Sequence, residues 1–129
     1  MALTLEQKRA ADAWNKAKGC SDAYSKLAKS LPALIMNSGL MQVLAFLHEK
    51  GGKGNQVHCK ALGDDLREWL CKRFPRELPK RDFADFMTAL TKIENPRTFQ
   101  EITTEAFAWL RWSRQMAAAV QVGVSPREI

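Results

Sequence analysis

An all-α fold, a compact bundle of about six or seven helices around a buried central helix, is predicted by three observations on this 129-residue chain. Apolar residues recur at helical spacing through every long window, while no window alternates or clusters β-branched residues as a strand would. Capping residues and glycine or proline stops punctuate those windows. Residues Leu40 to Leu47 are apolar nearly all round rather than on one stripe, the pattern of a helix buried on every side.

The elements follow in chain order. Thr4 to Gln7 reads as a capping box, opening a helix that runs to about Lys18 and stops at Gly19. Leu3, Ala10, Ala13, Trp14 and Ala17 share its apolar face, with Arg9 and Lys16 on a solvent-side strip. A short helix from about Ser21 to Lys29 carries Tyr24 and Leu27 inward and Lys26 and Lys29 outward. Pro32 suits the first turn of another short helix, which breaks at Asn37-Ser38-Gly39 and hands over to the central helix.

Gly51 to Asn55 is a flexible loop. A helix from about Gln56 to Phe74 then buries Leu62, Leu66, Trp69 and Leu70, with Lys60 and Arg67 on another face. Pro75 and Pro79 bracket a turn, and Asp82 caps a helix carrying Phe83, Phe86, Met87, Leu90 and Ile93 inward. Asn95-Pro96 ends it. The last helix spans about Phe99 to Gln121, with Ile102, Ala106, Trp109, Leu110, Ala117 and Val120 inward, and residues 122–129 read as a frayed tail. Short loops favour antiparallel neighbours.

The length fits a single helical domain over residues 1–129. The 20 lysines and arginines outnumber 14 aspartates and glutamates, giving a net charge of +6 and favouring a polyanion partner, nucleic acid first. Three cysteines with no CxxC spacing read as reduced thiols, and charges interrupt the N-terminus where a signal peptide needs an apolar core. No apolar run reaches the ~20 residues that span a bilayer. The expectation is a soluble cytoplasmic protein.

Little in the chain suggests catalysis. His48 and His58 lack a metal-ligand pattern, and His58 and Cys59, adjacent on a helix, diverge by about 100°. The carboxylate pairs Asp82–Asp85 and Glu101–Glu105 lie near helix starts, where capping and the helix dipole explain them. The Gly51–Asn55 loop lacks the frame that cradles phosphates. A small hydrolase using Cys59 or a carboxylate pair carries the least weight. Expected are no enzymatic activity, no catalytic residue, no metal and no cofactor. Arg111 and Arg114, three apart and off the apolar stripe, sit beside Trp112, a set suited to phosphates and unpaired bases. The residues alone slightly favour the competing view that Trp112 belongs to the core edge and the arginines pair with acids such as Glu101 and Glu105.

Two phrases carry a resemblance. Leu31, Pro32, Leu34, Ile35, Gly39, Leu40, Gln42, Leu44, Ala45 and Phe46 match the "klP-x-LI-x-x-NGL-x-Q-x-LAF" phrase of the small, all-helical subunit of the type III-B CRISPR RNA-silencing (Cmr) complex. Near the C-terminus, TTEAFAWLRWSRQMAAA is similar to that family's "T-x-EALAFL-x-WLKRFA". Arg9-Ala10, the stretch Tyr24 to Lys29, and Trp69-Leu70 resemble further family positions, and Arg114 falls on the first basic residue of the second phrase. Gln115, Ser113 and Phe99-Gln100 depart from it.

The resemblance implies a non-catalytic structural subunit of a ribonucleoprotein in antiviral defence. Copies would stack beside the crRNA-holding backbone subunits and meet the target RNA through phosphates, with the backbone and large subunits as partners and neither membrane nor small-molecule substrate. The residues expected to meet RNA are Arg9, Lys16, Lys26, Lys60, Arg67, Arg111 and Arg114. The alternative is a helical protein-interaction module without direct RNA contact.

Overall fold

The computed structural model describes residues 2–122, and the expected frayed tail falls outside them apart from Val122. Within that range the chain is all-α: α1 (Leu5–Ala17), α2 (Asp22–Ser38), α3 (Leu40–Gly51), α4 (Val57–Arg73), α5 (Phe83–Thr91) and α6 (Pro96–Val122), with no strand. The caps form as their residue types dictate. Thr4 accepts from the Gln7 amide at 3.1 Å while Gln7 accepts from the Thr4 amide at 2.8 Å. Ser21 and Asp82 accept from the amides of Tyr24 and Asp85.

α6 lies along α1 and α2, and α4 packs against α2, α3 and α6. Leu31 of α2, Leu62, Leu66 and Leu70 of α4, and Ile102, Trp109 and Leu110 of α6 are fully buried where these helices meet. Each such side chain contributes roughly 1.5–3 kcal/mol by leaving water. α1 and α6 run in the same direction: Arg9 bonds Glu105, Asp12 accepts from Trp109, and the Cys20 carbonyl accepts from Gln121. They are first and last in the chain, so the antiparallel rule for consecutive helices does not govern them.

Three expectations are corrected. The two short helices expected around Pro32 are one continuous helix, α2, with the proline inside it. Proline removes a single N–H, and the buried stripe of Tyr24, Ala28, Leu31 and Ile35 runs straight past it, so packing outweighs the local penalty. α3 is not buried all round. Leu40, Val43, Leu44 and Leu47 face inward, whereas Ala45 and Phe46 are exposed, so the buried centre lies among α2, α4 and α6 instead. Leu3 and Trp14 are also exposed, because α6 covers the Ala13–Ala17 stripe of α1 and stops short of them.

Two glycines meet specific demands. Gly39 joins α2 to α3 alone, at φ +87° and ψ 157°, a region in practice limited to glycine; its amide reaches Ile35 O at 2.7 Å while its carbonyl accepts from Val43. A Cβ on Gly51 would stand 2.6 Å from Lys60 Cβ, so this glycine lets the end of α3 lie against the start of α4. Pro96 occupies the first turn of α6 and Asn95 accepts from the Arg97 amide at 2.9 Å, so the helix begins three residues before the expected Phe99.

Candidate nucleic-acid interface

The basic residues divide into those held by carboxylates and those left to solvent. Glu105, on the inner face of α6, receives two bonds from Arg9 at 2.7 and 2.8 Å and one from the Trp69 indole at 3.0 Å. Arg73 Nε lies 3.4 Å away. Burial pushes the Glu105 carboxyl up, but the hydrogen bonds from Arg9 and Trp69 and the charges of both arginines hold it below its ordinary value. Arg9 is in turn raised, chiefly by its bond to Glu105. One carboxylate therefore joins α1, α4 and α6.

A second cluster stands beside it. Lys16 reaches Asp12 at 2.8 Å, Glu68 at 3.1 Å and the Asp65 carbonyl at 3.0 Å. Asp12 also accepts from Lys72 and from the Trp109 indole. The bond from Lys16 lowers Glu68, while burial raises Asp65, against its 2.7 Å bond from the Tyr24 hydroxyl. Arg67 is buried, bonded to Asp64 and to the Arg81 carbonyl, with its guanidinium 5.7 Å from the Phe83 ring. Phe83 stacks on His48 with centroids 3.8 Å apart.

Arg9, Lys16 and Arg67 were expected to point outward, and the structure turns them inward. The helical spacing was right; α6 and α4 bring carboxylates over that strip of α1, and the α5 approach covers Arg67. Lys26 and Lys60 do face solvent, in i,i+4 pairs with Asp22 at 3.1 Å and Asp64 at 2.7 Å. Exposed pairs of this kind contribute about 0.3–0.5 kcal/mol, so a phosphate could displace either partner.

Arg111 and Arg114 are exposed, and no ion pair among the described residues holds them. They share the outer face of α6 with exposed Arg97, Gln100, Thr104 and Gln115 and half-buried Phe107. Arg97 lies fourteen positions before Arg111, close to four turns, or about 21 Å along the helix. Sequence reasoning missed Arg97 because it started the helix at Phe99. A proline at the first helical turn was the signal that could have extended it. Trp112 does not accompany the arginines outward: its indole nitrogen is buried without a hydrogen-bond partner among the described residues.

The remaining chemistry is sparse. Glu105 is the buried hub while Glu101 is exposed, so the two do not converge. Asp82 caps α5, and Cys59 is buried with its thiol pushed up by desolvation. Among the described residues no group of three or more His, Cys, Asp or Glu could hold a metal, and no helix is long and apolar enough to cross a membrane.

Residues 5–120 match the family described as CRISPR-associated protein (Cas_Cmr5). A relative from Thermus thermophilus, CRISPR system Cmr subunit Cmr5, is 33% identical over 97 residues, covering 75% of this chain and 74% of that protein. No solved structure matches.

Proposed function

Because the chain belongs to the CRISPR-associated Cmr5 family, we propose that it is a non-catalytic structural subunit of a cytoplasmic type III-B Cmr ribonucleoprotein that meets target RNA through phosphate contacts on the outer face of α6. Copies stack beside the crRNA-bound backbone, with the large subunit as a further neighbour. The observation that carries the RNA contact is the pair Arg111 and Arg114, exposed and outside the carboxylate networks that engage Arg9, Lys16 and Arg67. Arginine pairs with phosphate in bidentate fashion, and such contacts position a strand without reading its bases. Lys26 and Lys60 add exposed charge, while Arg9, Lys16 and Arg67 act as scaffold.

Reconstituting the complex with Arg111→Ala and Arg114→Ala together tests this. RNA association is expected to weaken and the salt dependence of binding to become shallower, with the melting temperature unchanged. Unaltered RNA binding would overturn the contact, and loss of folding would overturn the surface placement.

A second reading, an interaction module without RNA contact, is favoured by a groove lined by Leu34, Ser38, Gln42, Val43 and Phe46 that contains no charged residue. Met36, on the last turn of α2, is 78% exposed. On this reading assembly fails at low and high salt alike and RNA does not crosslink to the subunit.

A further inference from the structure

Where the end of α4 meets the first half of α6, Arg73, Phe74, Arg97, Gln100, Glu101, Thr104 and Glu105 line a cleft of ≈ 510 Å³, within the range of small-ligand sites. Phe74 caps α4 and is half-buried, leaving part of its ring at the cleft. The Arg73 guanidinium lies 5.6 Å from that ring, drawn in by Glu105 at 3.4 Å. Its Nε is buried against Glu105 while the side chain is 33% exposed, so the terminal guanidinium nitrogens are the donors left to a ligand. Arg97 faces the same space without an ion pair among the described residues, and Gln100 and Thr104 offer an amide and a hydroxyl.

Two guanidinium groups, an aromatic ring and neutral hydrogen-bonding groups match the parts of one nucleotide. Two carboxylates also line the cleft. Glu105 is already neutralised by Arg9 and Arg73, and Glu101 is exposed and screened by solvent. Glu101 can accept from the amino group of a base.

We propose that this cleft is a subsite for one unpaired nucleotide of a single-stranded RNA, with Arg73 and Arg97 on its phosphate and the Phe74 ring against its base. It rests on the reading that the outer face of α6 meets RNA, and adds a stacking contact that a phosphate-only surface lacks. From the cleft the strand continues along α6 toward Arg111, about 21 Å away. A duplex holds its bases stacked internally, so the subsite favours single strands.

The experiment is a salt-titrated binding assay of the full chain with an unstructured single-stranded RNA and a duplex of equal length. Arg97→Glu is expected to weaken single-strand binding about tenfold or more and to reduce the log–log salt slope by roughly 0.7 for each phosphate no longer neutralised. Phe74→Ala is expected to weaken single-strand binding roughly tenfold at unchanged slope, leaving duplex binding unaltered. Thermal melting accompanies each variant; if Phe74→Ala unfolds, exposed Arg97 decides alone. Lys29→Glu on α2 carries the same change in net charge away from the cleft. Equal losses in Lys29→Glu and Arg97→Glu would reduce the effect to bulk charge and overturn the subsite. Weakened binding in the Arg111→Ala, Arg114→Ala variant with Arg97 and Phe74 variants intact would overturn the subsite and leave the outer-face reading standing. No wild-type binding at low salt would overturn both.

Discussion

Replacing Glu105 with alanine leaves the Arg9 and Arg73 guanidinium groups and the Trp69 indole N–H without their shared acceptor. Glu105 is 4% exposed, but Arg9 keeps Glu6 and the Arg73 side chain is 33% exposed, so the loss is that of charged hydrogen bonds, on the order of 1.5–3 kcal/mol, read as a fall in melting temperature. The same residue predicts an acid response. Its folded value is depressed below the ordinary 4.5, so its contribution is complete above the unfolded value and is lost as pH falls through the folded one. Wild-type stability should decline below about pH 4.5, and Glu105→Gln should flatten that decline as measured by melting at stepped pH. An unchanged acid profile in that variant would remove Glu105 from the account. Sequence alone placed Glu105 beside Glu101 as a helix-start pair, since spacing shows which residues share a face but not what lies opposite. Arg9 and Lys16 were misread for the same reason: beyond their local partners Glu6 and Asp12, the carboxylates that cover them are 96 residues away in Glu105 and 52 away in Glu68.

At the scale of elements, the signals that worked were local ones. Thr4 and Asp82 each cap the helix that their residue type announces, and Ser21, expected only as the approximate start of a helix, caps α2. Gly39 marks the junction of α2 and α3 because its backbone conformation excludes other residues. Pro32 misled, since its local penalty is legible in sequence while the packing that overrides it comes from α4 and α6. Pro32→Ala restores an N–H in the middle of α2 and should raise stability by on the order of 1–3 kcal/mol, measured by denaturant titration. A loss of stability would show instead that the proline sets a bend on which the packing of Leu31 and Ile35 depends. The same kind of boundary error hid Arg97: beginning α6 at Phe99 cut off the residue that lines the cleft beside Phe74.

At the scale of the molecule, net charge favours a polyanion partner without saying where it would bind. Nine lysines and arginines are held in ion pairs among the described residues, so the excess acts through the remainder, of which Arg97, Arg111 and Arg114 share the outer face of α6. The uncharged groove of Leu34, Val43 and Phe46 lies between α2 and α3, formed by other helices than the α6 face. On the function proposed above, that division would separate RNA contact from subunit contact. Phe46 is 42% exposed beside Lys50, so Phe46→Asp should leave the fold and the salt-dependent RNA binding of the free chain in place. It should lower incorporation into the reconstituted complex, since a desolvated carboxylate in an apolar contact has no partner. Arg111→Ala with Arg114→Ala should do the reverse, and pull-down of the subunits in the presence and absence of RNA distinguishes the two. Equal impairment of both activities by either variant would mean that one surface serves RNA and protein together.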